Sequence, residues 1–258
     1  MKVDILGINV DCVDMAGTIA RIEEFIAAGS PRLIITPNVD HLIKARKDRE
    51  FKHIYENADL AVPDGVPLLW AAKFLGTSLL ERVNGTDLFE ALCARAADRG
   101  YRLFFLGAAP GVAATAATAL AQRHPGINVV GTYSPPFDFL ESVEENSKIA
   151  NMILAAKPDI LFVGLGAPKQ EKWIHRHMHK LRVPVSIGIG ASFEYVAGCT
   201  ARAPRWMRRT GLEWFYRIVE NPSRYWRRYF VDDMIFFPLV FTQRLKALLQ
   251  KRMPRPAY

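Results

Sequence analysis

The chain has 258 residues, half of them hydrophobic and 23% charged, enough apolar material for one large or two small domains and too much for wholesale disorder. Its net charge of +8 is uneven: from Arg202 onward there are 13 Lys and Arg against 4 Asp and Glu, leaving 21 against 22 of the whole-chain 34 and 26 for the first 201 residues. A near-neutral body with a basic tail points to a tail that meets something anionic: nucleic acid, an anionic membrane or a phosphorylated ligand.

Residues 1–14 (MKVDILGINVDCVD) carry acids inside an apolar stretch, lack the layout of a signal peptide, and read as a first strand. Residues 32–36 (RLIIT) form another strand, leading through Pro37 into a helix over 39–57. A strand at 60–62 ends at Pro63-Asp64-Gly65. Thr86-Asp87 then caps a helix running to residue 99. Next come a strand at 102–106 (RLFFL), a glycine-bearing turn from Gly107 to Gly111, and an alanine-rich helix to 123. A strand at 128–130, a helix over 144–156, a strand at 159–164 (DILFVG), a helix over 169–180 and a strand at 185–189 (VSIGI) complete the rhythm. Strands of nearly continuous apolar character, alternating with helices, specify an α/β fold with a mostly parallel sheet covered on both faces. The turn-rich SPPFD at 134–138 lies within this unit. Residues 1–200 therefore read as one α/β domain and 201–258 as a basic, aromatic helical appendage. The apolar run 234–241 (MIFFPLVF) is too short to span a bilayer and contains Pro238, so it either lies on a membrane or packs on the core. Cys12, Cys93 and Cys199 are odd in number and far apart, which fits a reducing, cytoplasmic compartment.

Ligands of open α/β sheets bind beyond the C-terminal ends of the strands, so the polar residues there are the first candidates. Asp64 is either a turn residue of Pro-Asp-Gly or a carboxylate presented as a general base. Thr36 and Asn38 have the same ambiguity between helix capping and function. Gly107, Gly166 and Gly190 sit in strand–helix turns able to aim N–H groups at a diphosphate, though tight packing explains such glycines equally well. Pro168, Lys169, Gln170 and Glu171 open the helix after Gly166 and add a cation and an amide. Arg82, Asn84 and Asp87 place a cation beside a turn and a cap. His175, His177 and His179 alternate within a helix and splay around it, so no metal site is expected. The chain lacks an Asp-x-Asp pair, a P-loop, a dinucleotide fingerprint and a Gly-x-Ser-x-Gly elbow. On a regular helix Arg217, Arg224 and Arg227 would share one face suited to a diphosphate, although Pro222 interrupts that segment.

Taken in order, these segments resemble the WecG/TagA/CpsF family of bacterial glycosyltransferases. The likeness rests on Thr36-Pro-Asn38, Pro63-Asp64-Gly65, the run from Glu81 to Asp87, Leu106-Gly107, Pro158-Asp159 and the run from Val163 to Trp173. It ends with Arg202-Ala203-Pro204, Gly211-Leu212-Glu213-Trp214 and Asn221-Pro222-Ser223-Arg224-Tyr225. The resemblance implies a Rossmann-like domain that moves a sugar from a UDP-sugar to a polyprenyl-diphosphate-linked saccharide at the cytoplasmic membrane face. It implies Asp64 as catalytic base, with Thr36, Asn38, Arg82 and Gln170 around the pocket and Arg217, Arg224 and Arg227 supplied by the appendage. Gly65 and the turn residues above would then bind substrate. No cofactor or metal is expected, and arginines, Lys169 and helix N-termini would stabilise the leaving diphosphate. N-acetylmannosamine, its uronic acid, glucose and N-acetylglucosamine are all plausible donor sugars, and oligomeric state is not legible. The rival readings are a nucleic-acid-binding module using the basic tail, against which the strand-end polar cluster counts, and an NAD-dependent oxidoreductase, against which the missing fingerprint counts.

Overall fold

The structure, a computed structural model, describes residues 1–252. Its N-terminus is two strands, β1 (Lys2–Ile5) and β2 (Ile8–Asp11), forming an antiparallel hairpin apart from the main sheet. The single strand expected there is thus a correction: the acids that interrupt the apolar run alternate outward, and the chain turns through Leu6 and Gly7. Helix α1 (Met15–Ala28) follows, its start fixed by Asp14, whose carboxylate accepts from the Gly17 amide at 2.7 Å. Then come β3 (Arg32–Ile35), α2 (Val39–Lys47), α3 (Arg49–Glu56), β4 (Leu60–Ala61), α4 (Val66–Phe74), α5 (Gly85–Arg99), β5 (Arg102–Gly107) and α6 (Val112–Arg123). The domain continues with β6 (Asn128–Tyr133), α7 (Val143–Ala156), β7 (Ile160–Gly164), α8 (Lys169–Leu181), β8 (Val185–Gly188) and α9 (Ser192–Val196). The helix expected over 39–57 is two helices, because Asp48 ends α2 and caps α3 by accepting from the Phe51 amide.

The main sheet has six parallel strands in the order β4-β3-β8-β7-β5-β6. Successive side chains enter opposite cores: Phe104, Leu106, Leu161 and Val163 join one, and Leu103, Phe105, Ile160 and Phe162 the other. The first core takes the hairpin with α2, α3, α4, α7 and α8; the second takes α1, α5, α6 and α9. Chain leaving β3 therefore goes to one face, through α2, and chain leaving β8 to the other, through α9. That divergence opens a crevice at the C-terminal end of the sheet.

Beyond residue 200 the chain forms α10 (Arg205–Thr210), α11 (Glu213–Glu220), α12 (Pro222–Arg227), a π-helical turn (Arg228–Asp232) and α13 (Phe236–Arg252). This segment is not a loose tail. Phe236 and Val240 are buried in the same core as the hairpin and α4. Gln243 accepts from the Leu6 amide at 2.9 Å and donates to Asp4 Oδ1 at 2.7 Å, while Arg244 donates to the Leu75 carbonyl at 2.7 Å. The run 234–241 packs on the core through Phe236 and Val240, while Met234, Ile235, Phe237 and Phe241 are exposed.

Candidate active site

Three loops at the sheet's end are laced together by backbone hydrogen bonds. The Asp64 amide donates to the Pro37 carbonyl at 2.9 Å, and the Val83 amide donates to the Pro63 carbonyl at 2.8 Å. This lacing brings Asn38 after β3, Asp64 after β4, and Arg82 and Asn84 before α5 to one cavity wall. Asn84 holds the arrangement in register. Its Oδ1 caps α5 by accepting from the Thr86 and Asp87 amides, which leaves Nδ2 to donate to Asp64 Oδ1 at 3.0 Å. The expected cap at Thr86-Asp87 is corrected to Asn84, two to three residues earlier, where the side chain reaches both free amides. Asn38 likewise spends its Oδ1 on capping α2, accepting from the His41 amide at 3.1 Å, while lining the cavity.

The opposite wall belongs to the appendage. Glu213, Trp214, Arg217, Arg228, Tyr229 and Asp233 close a space of about 300 Å³ over Asp64. Glu213 is buried between two arginines, 3.0 Å from Arg217 and 3.9 Å from Arg82. Burial, and next the Glu213 carboxylate, push Asp64 up to about 6, against the pull of Arg82, Arg217 and the Gly85 amide. Arg228 lies 3.5 Å from Asp40 on α2 and 3.7 Å from Asp233, so it ties the appendage to the body at the cavity's edge. A second tie is Arg202, 2.8 Å from Asp87 and donating to Asn84 Oδ1 at 3.0 Å, with Arg208 3.3 Å from Asp87. Asp87 is thereby engaged in seating the appendage, outside the cavity wall.

The regular helix expected to carry the three arginines is interrupted. Helix α11 stops at Glu220, and Pro222 starts a new helix that passes into a π-helical turn, so no single regular helix carries positions 217 to 227. Arg217 lines the cavity, Arg227 is exposed and away from it, and the Arg224 side chain lies outside the described residues. Arg228, the neighbour of Arg227, supplies the second appendage cation instead. Sequence reasoning missed Arg228, Glu213 and Trp70. Glu213 stood in a quoted motif, but nothing in its spacing distinguished it from a surface acid.

The remaining candidates gather farther along the sheet's end. Gln170 is buried, and its Oε1 accepts from the Gly166 and Gly190 amides at 3.1 and 3.0 Å. Its Nε2 donates to Glu171 Oε1 at 2.9 Å, so Gln170 knots the loops after β7 and β8 together. Gly188 lacks a Cβ because one would lie 2.5 Å from that Nε2. Gly107 faces the same constraint, with φ +116° and a Cβ position 2.4 Å from the Gly164 carbonyl oxygen. Thr36 is buried beside Gly85. Glu171 is buried too, and burial pushes it up to about 7, with Oε2 lacking a partner. Gly65 is in the cavity wall, whereas Pro168 and Lys169 begin α8 and the Lys169 ammonium sits 4.5 Å from the exposed Phe137 ring. With adjacent strands about 5 Å apart, the row of loops from β4 to β5 is roughly 20 Å long, room for an extended nucleotide-sugar. His41, which burial lowers to about 4, is a neutral ring hydrogen-bonded to Tyr55 behind this row. Among the described residues no cluster of three or more His, Cys, Asp or Glu is placed to hold a metal ion.

A family model described as "Glycosyl transferase WecG/TagA/CpsF family" matches residues 3–250. A protein of Bacillus spizizenii named N-acetylglucosaminyldiphosphoundecaprenol N-acetyl-beta-D-mannosaminyltransferase is 35% identical over 213 residues, 83% of this chain and 78% of its own. Proteins of the same name from Bacillus subtilis and Staphylococcus aureus are 35% and 31% identical, covering 76% and 88% of this chain and 74% and 86% of theirs.

Proposed function

The chain belongs to the glycosyl transferase WecG/TagA/CpsF family, and from that premise we propose that it moves an N-acetylmannosamine-type sugar from UDP to a polyprenyl-diphosphate-linked N-acetylglucosamine. The nucleic-acid and oxidoreductase readings gain no support. The observation that carries the proposal is the Asp64 carboxylate, held by Asn84 at the end of β4 and facing a cavity ringed by Arg82, Arg217 and Arg228.

In this reading Asp64 accepts the proton of the acceptor hydroxyl as its oxygen bonds to the anomeric carbon. The bond from that carbon to the UDP oxygen breaks, its electron pair leaves with UDP, and attack from the opposite side inverts the centre. Charge developing on the diphosphate meets the arginines and the N–H groups of the strand-end turns. Without an Asp-x-Asp pair, the proposal has these groups carry that charge without a metal. The N-acetylmannosamine preference is taken from the relatives' names.

Among the described residues no helix is long and apolar enough to cross a membrane. The proposed setting, taken from the lipid-linked acceptor in the relatives' name, is peripheral, on the cytoplasmic face. Exposed Trp206, Trp226, Phe230 and Ile235 stand among Arg205, Arg209 and Arg227 on the appendage, a mixture suited to lipid headgroups. The test is UDP release from a panel of UDP-sugars, with and without EDTA, using lipid-linked acceptors. Release from UDP-N-acetylmannosamine that needs the acceptor and survives EDTA is expected. Silence across the panel would overturn the reading, and loss on chelation would overturn metal independence.

A further inference from the structure

A second concavity opens beside the site, a groove of about 580 Å³ between α4 and α13. Helix α4 begins one residue after Gly65, and Pro67, Trp70, Ala71 and Phe74 recur along it at spacings of three, one and three. That spacing forms one stripe along the helix. Leu68 and Ala72 point into the core, whereas Trp70 is 61% exposed and Phe74 47%. The facing stripe on α13 is Phe237 and Phe241, which are 45% and 60% exposed, and the Phe74 and Phe241 rings stack at 6.2 Å. Thr242 is the lining's one polar residue, and its hydroxyl is engaged by the Pro238 carbonyl. A continuous aromatic stripe this exposed marks an interaction surface.

The groove is continuous with the active-site cavity. Pro67, Trp70 and Phe237 line both. Moving away from Asp64, the lining passes from carboxylates and arginines through these three residues to an apolar trough. That is the order of chemistry along the acceptor, from sugar hydroxyl through diphosphate to hydrocarbon. Resting on the transferase reading above, we propose that the groove between α4 and α13 takes the first isoprene units of the acceptor's polyprenyl chain, with Trp70 and Phe237 as the gate between its charged and apolar parts. The helix that follows the catalytic carboxylate thus also aligns the lipid, so the hydroxyl is delivered to Asp64 in register.

The test compares two acceptors with the same sugar diphosphate, one bearing a single isoprene unit and one a long prenyl chain. Both are assayed without vesicles and below the micellar range. The full-length protein is compared with its Phe74→Ser/Phe241→Ser variant, two partly exposed positions outside the Asp64 cavity. The expected result is a KM for the long acceptor raised about tenfold, with kcat and the short acceptor unchanged. If both KM values move together, or neither moves, the groove does not hold the chain. If the variant loses only sedimentation with anionic vesicles, the stripe is a membrane contact and the proposal is overturned. A photoreactive long-chain prenyl diphosphate, which needs no turnover, should label α4 and α13, and labelling confined to other segments overturns the assignment. Should neither acceptor be glycosylated yet the probe label α4, the transferase reading falls while the lipid groove stands.

Discussion

The most exposed inference about the chemistry is that Asp64 is a base whose strength is set by the appendage. With a pKa near 6 instead of the ordinary 3.8, Asp64 is mostly protonated at pH 5 and ionised at pH 7. Since only the ionised form accepts a proton, kcat/KM should fall about tenfold from pH 7 to pH 5, approaching a slope of one below the pKa. An unshifted aspartate would lose only about 6% of its activity over that range. Burial is the largest contribution to the rise and the Glu213 carboxylate the next, so Glu213→Gln should move the acid limb down by about one unit. The neutral amide also stops competing for Arg82 and Arg217, which strengthens their pull on Asp64. The assay is the pH dependence of UDP release at subsaturating donor, with circular dichroism at each pH to show that both proteins stay folded. An acid limb at the same pH in both proteins would refute the reasoning, because the titrating group would then not be next to Glu213.

Asp64→Asn keeps the volume of the side chain and should reduce kcat by about 10²–10⁴-fold with donor binding retained, as calorimetry with UDP would show. Arg228→Ala should lower kcat/KM by about tenfold or more, chiefly through KM, because it removes a cation from the cavity edge and releases Asp40 and Asp233; steady-state kinetics decide it. Glu171→Gln should stabilise the protein at pH 8 and not at pH 4. The native carboxyl's pKa, raised by burial to about 7, lies above its ordinary 4.5, so its contribution is intact below 4.5 and lost as pH rises through 7. At about 1.4 kcal/mol per unit the loss is about 3 kcal/mol, and thermal melts at the two pH values measure it. Truncation after Met234 should lower the melting temperature sharply, since Phe236 and Val240 leave the core at about 3–5 kcal/mol for a residue of Phe236's size.

The βα rhythm was legible because a parallel sheet buried on both faces writes nearly continuous apolar strands, and β5 and β7 follow the expected boundaries within a residue or two. Asp64 and Asn38 were legible because strand ends are where such sheets bind ligands. Helix α4 was not, since its outward stripe of Trp70 and Phe74 removes the polar face by which an amphipathic helix is recognised. The regular arginine helix is interrupted for a local reason. Helix α11 ends before Pro222, and the chain then passes through α12 into a π-helical turn from which Arg228, not Arg227, lines the cavity. Nor does spacing reveal that Gln170 is consumed by two amides and a carboxylate, because Gly190, which it ties to its own loop, comes from the turn after another strand.

Why the base should depend on a segment some 150 residues away follows from the cavity's construction. The body alone supplies Asp64 with the Asn84 amide, the Gly85 N–H and Arg82, all of which favour its ionised, weakly basic form. Of the groups that raise its basicity, the Glu213 carboxylate comes from the appendage, which also closes the cavity over Asp64 and supplies Arg217 to oppose the rise. The appendage is seated by Arg202, Arg208 and Arg228 on Asp87 and Asp40, and by α13 against the hairpin and α4. The Arg202, Arg208 and α13 contacts lie outside the cavity wall, whereas Arg228 and Asp40 line it, so Arg228 serves both the seating and the cavity. The apolar stripe of α4 is then fixed from two directions, by Asp64 at one end and by α13 along its side. A rigid helix between a carboxylate and a lipid trough sets a constant distance from the reacting hydroxyl to the hydrocarbon, which loops alone would leave to chance.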